Sequence, residues 1–252
     1  MRLFEFAELL NSNFSCKGDD EVQYTSIEIN EMCKKALESI ETFYQQDFIN
    51  YRGRTADTNR FYTEVVADYV LNNIDSFLNN IPRITRMKDY DQKHDGSYRE
   101  GTGRDEEIIA IKMFRKSQMD NCTYPYIGKI IDYQTPLKSK RTDVAGKIDL
   151  LSYDGKVLRI LELKKPSSTE SMLRCVLEGY TYLKTVDEKK LITDFGLPSE
   201  TIVEAAPFVF WKANQWIEWQ EDRPALHSLC RILGIKPYFI KEENDSYTIL
   251  EG

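Results

Sequence analysis

The chain has 252 residues, 41% of them hydrophobic and 12% aromatic, which is enough apolar material for one large mixed domain or for an ordinary core with a helical extension. A disordered or fibrous chain is excluded by that composition. The formal net charge of −7 argues against holding nucleic acid by overall electrostatics, although it leaves room for a local basic groove and for carboxylates gathered around a divalent cation.

Taken in chain order, the opening stretch from Met1 to Glu8 places acids inside a short apolar run, and no later stretch is long enough in apolar residues to span a bilayer. The expected setting is cytoplasmic, with no membrane contact. Cys16, Cys33, Cys122, Cys175 and Cys230 are scattered, with neither a Cys-x-x-Cys pair nor a nearby histidine. They read as reduced, partly buried thiols rather than a zinc or iron-sulfur site.

From about Ser26 to Tyr51, apolar residues recur at three- and four-residue steps and predict a helix. A second is predicted from about Asp57 to Asn80, with Pro82 just beyond it. Arg83 to Arg104 has neither periodicity and reads as a long loop. Its Arg83, Arg86, Lys88, Lys93, Arg99 and Arg104 are either phosphate contacts or a solvated basic linker offset by neighbouring acids. Residues 1–103 therefore read as an N-terminal helical extension. Its helices are candidates for a cap over a site, a homodimer interface or a protein-partner surface.

Residues 104–252 read as the core. The pattern predicts a helix over Arg104 to Lys116, then strands over Tyr126 to Tyr133, Gly146 to Tyr153 and Lys156 to Lys164, with Asp154-Gly155 as a hairpin turn. A helix over Ser168 to Leu183, capped by Ser167 or Ser168, follows, then a strand over Ala206 to Lys212. Pro224 to Leu233 and Tyr238 to Ile240 supply a last helix and strand. The order α-β-β-β-α-β predicts an α/β fold with a mixed sheet flanked by helices.

Side chains alternate along a strand, so Glu162 and Lys164 leave one face of the third strand while Leu161 and Leu163 leave the other. Asp149 stands in Lys147-Ile148-Asp149-Leu150-Leu151, where a buried strand would normally carry an aliphatic residue, and a charge there needs a partner or a metal. The Asp154-Gly155 turn makes Asp149 and Glu162 neighbours across an antiparallel ladder. Two such carboxylates suit Mg²⁺ or Mn²⁺, which activates water and stabilises a leaving oxygen. Lys164 would orient or deprotonate that water and balance charge building on phosphorus.

Asp149 followed by Glu162-Leu163-Lys164, set in this element order, resembles the PD-(D/E)XK nuclease superfamily over about residues 104 to 212. Ile148 stands where that motif has proline. The resemblance implies a restriction-endonuclease-like fold and a Mg²⁺-dependent nuclease acting on nucleic acid, with DNA preferred, and with Asp149, Glu162 and Lys164 as catalytic residues. It also implies a further acidic ligand on the preceding helix, for which Glu106 and Glu107 are the candidates and Glu106 is slightly favoured. The helix after Lys164 is similar to that of the exonuclease-like branch, with Glu178 and Tyr182 at the expected spacing, Glu in place of Gln, and Tyr180 as an alternative. A catalytically silent module of the same fold that binds nucleic acid or a protein partner is the rival expectation. Lys138, Lys140, Arg141 and Lys165 are candidate phosphate contacts. Trp211, Trp216 and Trp219 are either base-stacking or packing residues, and His94 and His227 have no partner spacing.

Overall fold

The computed structural model describes residues 23–97, 105–139, 146–244 and 246–252; the opening stretch, Cys16, Arg99, Arg104, Lys140 and Arg141 lie outside the described residues. Six strands form one mixed sheet in chain order: β1 (Lys129–Pro136), β2 (Lys147–Tyr153), β3 (Val157–Lys164), β4 (Ile202–Phe210), β5 (Tyr238–Glu243) and β6 (Ser246–Glu251). β1, β2 and β3 are an antiparallel meander, β4 and β5 run parallel to β3, and β6 closes antiparallel on β5. The parallel steps need crossovers, and helices supply them.

Eight α-helices occur among the described residues: α1 (Ser26–Ala36), α2 (Tyr62–Asn72), α3 (Ile74–Asn79), α4 (Asp105–Met119), α5 (Met172–Thr185), α6 (Glu188–Asp194), α7 (Asn214–Gln220) and α8 (Pro224–Leu233). None is long and apolar enough to cross a membrane. β3 is buried along its whole length, and its alternation divides the interior in two. Leu158 and Ile160 join one apolar cluster with Val66, Val176 and Leu229, so the N-terminal helices share a core with α5 and α8. Leu161 and Leu163 join the other, packed against Ala110, Met113 and Phe114 of α4.

Local chemistry moves several boundaries from their expected places. The helix expected through Tyr51 stops at Ala36 and continues as two 3-10 segments, Leu37–Gln45 and Asp47–Asn50, with Ser39 at φ −132° and ψ 69° outside the helical region. Ile40, Phe43 and Tyr44 still face inward, so the apolar spacing of a helix survives without one. The second helix starts at Tyr62 rather than Asp57. Asp57 accepts hydrogen bonds from the N–H groups of Ser26 and Thr58, and Asn59 sits at φ +52°, so this stretch is a loop. It also breaks at Asn73 before α3.

β1 begins at Lys129 because Tyr126 at φ +65° and Gly128 at φ +77° close a turn with Tyr124. A Cβ at Gly128 would strike the Tyr153 carbonyl, which makes glycine obligatory there. β4 spans Ile202–Phe210 rather than Ala206 to Lys212, since Lys212 turns to φ +65°. α4 runs on to Met119. The cap of α5 is Ser171, whose Oγ accepts the Arg174 N–H at 3.0 Å, rather than Ser167 or Ser168. The Ser168 Oγ instead accepts from the Glu170 N–H within a loop. α6, α7 and β6 were not expected from the pattern.

One buried acid fastens the two helical layers. Glu64 of α2 accepts the N–H groups of Ala225 and Leu226 at 3.0 and 2.9 Å, satisfying the open amides at the start of α8. Glu64→Ala strands both amides and should cost about 2 kcal/mol, lowering the melting temperature by roughly 4–8 °C in a thermal denaturation scan. Glu64→Gln keeps one acceptor and should lose about half as much.

Candidate active site

The site is built on the α5-facing side of the meander. Leu150 pairs with Leu161 and Leu151 with Ile160, so the next step of this register sets Asp149 opposite Glu162. Tyr133 pairs with Leu150 and Thr135 with Ile148, which sets Gln134 opposite Asp149 in turn. Gln134, Asp149 and Glu162 thus form a row across three strands. Gln134 Nε2 donates to Asp149 Oδ1 at 3.1 Å, and the Leu163 N–H donates to Asp149 Oδ2 at 3.0 Å. The expected adjacency of Asp149 and Glu162 follows from the Asp154-Gly155 turn. There Asp154 Oδ1 accepts the N–H groups of Lys156 and Val157, and Gly155 takes φ +100°.

Glu162 and Lys164 leave the same face of β3 and are nearly buried, at 3% and 7% exposure. The Lys164 Nζ lies 2.7 Å from Glu162 Oε1, 2.7 Å from Glu170 Oε2 and 3.4 Å from Glu178 Oε2. Arg174 Nε lies 3.0 Å from Glu170 and 3.8 Å from Glu178. The Tyr182 hydroxyl donates to Glu178 Oε1 at 2.9 Å. Of the candidates on α5, Glu178 and Tyr182 therefore face the site, whereas Tyr180 packs in the apolar core.

From the opposite face of the sheet, Glu106 reaches the end of β3, where its Oε1 accepts the Lys165 N–H at 3.0 Å. Glu107 of the same turn lies toward Tyr133 of β1, so Glu106 is the acid nearer the row. Lys165 is engaged by α4, with its ammonium 3.0 Å from Asp105. Lys138 is exposed, and its carbonyl accepts from Arg86. Arg86 itself is buried against the carbonyls of Asp89 and Lys138, while Arg83 pairs with Glu188 and Lys93 with Asp91. Arg86 is thus tied into the fold, whereas Arg83 and Lys93 are exposed and pair with acids at the surface.

Burial pushes the Asp149 carboxyl up to about 7; Glu178 and Glu106 add to the effect, and Lys164 and the Leu163 N–H oppose it. Burial, then the Glu178 charge, push Glu162 well above the usual carboxylate range. At Lys164 burial disfavours the charge, but Glu162, Glu178 and Glu170 outweigh it and hold the ammonium above the ordinary lysine range.

No three His, Cys, Asp or Glu side chains are gathered into a ready-made cation cage among the described residues. The donor chemistry nonetheless suits Mg²⁺. Among the described residues, Asp149, Glu162, Glu170 and Glu178 meet two cations, Lys164 and Arg174, so an excess of negative charge is left, and hard carboxylate oxygens are the ligands that ion takes.

Three participants escaped the sequence. Gln134 is recognisable only once β1 is placed in register. Glu170 and Arg174, four residues apart across the Ser171 cap, carry no signal beyond their spacing. His94 has a partner after all, its Nδ1 lying 2.8 Å from the buried Asp132 and its ring stacked on Tyr133. Trp211 packs on Trp216, and Trp219 on His227, so the tryptophans are packing residues. Cys33, Cys122, Cys175 and Cys230 are free thiols, and burial raises Cys175 well above the ordinary thiol range. Comparison of the chain with protein-family models, with curated proteins and with solved structures finds no match in any of the three.

Because the folded-state value of Asp149 lies above its unfolded one, the stability from its protonated form is complete below 3.8 and lost as pH rises through about 7. Asp149→Asn removes that loss. The metal-free variant should melt about 2–4 °C above wild type at pH 8 and gain nothing at pH 4, read by calorimetry across that range.

Proposed function

We propose that the chain is a metal-dependent nuclease of the PD-(D/E)XK kind, hydrolysing phosphodiester bonds of nucleic acid, with DNA the preferred substrate. The observation that carries this reading is the alignment of Asp149 and Glu162 across an antiparallel hairpin, with Lys164 on the same face of β3. The element order α4-β1-β2-β3-α5-β4 is the order expected of a restriction-endonuclease-like core and supports the same reading.

Asp149 and Glu162, with Glu106 as the third acid, would hold Mg²⁺ or Mn²⁺. The cation supplies Lewis acidity toward the phosphate and lowers the pKa of an attacking water. Lys164 acts as a charged donor that orients water or a phosphate oxygen, since the carboxylates around it favour its protonated form. Glu178 positions Lys164, and Tyr182 positions Glu178. Gln134 and the Leu163 N–H hold the Asp149 carboxylate in one orientation, which reduces the reorganisation needed on metal binding.

A second reading, a silent nuclease-fold module that binds nucleic acid or a protein without turnover, is favoured by one observation. The Lys164 ammonium is enclosed by three carboxylates rather than open to a substrate.

Cleavage assays on single- and double-stranded DNA and RNA, with Mg²⁺, Mn²⁺ or chelator, separate the two. The nuclease reading expects metal-dependent cleavage that falls by about 10²-fold or more in Lys164→Ala and in Glu162→Gln. If wild type and Lys164→Ala leave every substrate intact with both metals, the silent-module reading replaces it.

A further inference from the structure

A cleft of about 270 Å³ opens beside the site, between the start of α1 and the loop that leads into α2, lined by Tyr24, Tyr51, Arg52, Gly53, Arg54 and Tyr62. Tyr24 and Tyr51 are stacked, with centroids 5.3 Å apart and planes 8° from parallel, and Tyr62 meets both edge-on. Gly53 at φ +94° makes the tight turn that brings Arg52 and Arg54 to one mouth. Arg52 donates to the Thr169 carbonyl at 2.8 Å, while Arg54 donates to the Asn59 carbonyl and lies 3.7 Å over the Phe61 ring. These contacts hold both guanidinium groups in place. Neither forms an ion pair with a carboxylate among the described residues, so no acid among them offsets the two charges directly.

The cleft is tied to the segment that touches Lys164. The Ser171 N–H donates to Asn50 at 2.9 Å, the Ser171 hydroxyl donates to the Ile49 carbonyl at 2.7 Å, and Arg52 holds Thr169. Glu170 lies between those two anchored residues and reaches Lys164. A chain bound along Tyr51, Arg52 and Arg54 therefore lies against the segment that carries Glu170.

We propose that this cleft binds single-stranded nucleic acid, with the stacked tyrosines receiving an unstacked base and Arg52 and Arg54 receiving the flanking phosphates. Size favours a single strand, because a cleft of about 270 Å³ suits one unstacked base better than the broad face of a duplex. Chemistry agrees, since aromatic faces beside fixed guanidinium groups accept any base and hold a phosphate backbone. The proposal rests on the nuclease reading for its purpose but not for its test.

The test is binding in EDTA, where metal chemistry is silent. A labelled oligo-dT of about 12 nucleotides is titrated with full-length protein, followed by anisotropy at several salt concentrations, with a duplex of equal length as comparison. Wild type should bind the single strand in preference to the duplex. Arg52→Ala/Arg54→Ala should weaken binding about tenfold or more and make the log–log salt slope shallower by about 1.4, for two lost phosphate contacts. Tyr51→Ala should weaken binding by about tenfold, and Tyr51→Phe should restore it by returning the ring. Arg54→Glu alone reads the charge dependence should the double variant unfold. Absent binding, equal binding of duplex, or variants that bind like wild type would each overturn the proposal. A wild type that cleaves while the cleft variants bind normally sinks the cleft and spares the nuclease; one that binds through the cleft without cleaving does the reverse.

Discussion

Lys164 is a cation on a strand with no solvent-facing side, and the rest of the candidate site follows from that constraint. Taking an ammonium out of water costs several kcal/mol unless it is paired and its protons are satisfied. Three carboxylates meet it, from β3 itself, from the loop after β3 and from α5. That answer overshoots. With Asp149 alongside, the acids outnumber the two cations; burial, with the neighbouring acid charges adding to it, raises the carboxyl pKa of Asp149 and Glu162.

The loop from Lys165 to Ser171 is where this charge cluster meets the remainder of the fold. Its start is held by Glu106 of α4, its middle by Arg52, and its end by Ile49 and Asn50. The Met172 N–H, at the first turn of α5, donates to the buried Glu218 of α7 at 2.8 Å. Both helical layers and the N-terminal segment thus converge on the residues flanking Glu170. Ile49, Asn50 and Arg52 are thus linked to Lys164 through a short chain of hydrogen bonds and the Glu170 ion pair.

Legibility in the sequence tracked the range of the interaction involved. The Asp154-Gly155 hairpin, the alternation of β3 and the bounds of α8 depend on neighbours within a few residues, and they were readable. Apolar spacing in Leu37–Gln45 was readable as burial but not as backbone geometry, since a 3-10 segment buries a similar stripe. The cap of α5 was misplaced because three serines compete over five positions, and the choice of Ser171 depends on Ile49 and Asn50, far away in the chain.

The sequence by itself determined that two carboxylates and a lysine would share one strand face across a hairpin, because side-chain alternation and turn chemistry are local properties of the backbone. Only the tertiary structure decided which other groups surround them. Gln134 enters through the β1 register, Glu106 through the approach of α4, and Glu170 and Arg174 through the anchoring of one loop. Those are contacts between residues distant in the chain, and electrostatic environment is a sum over space rather than over sequence.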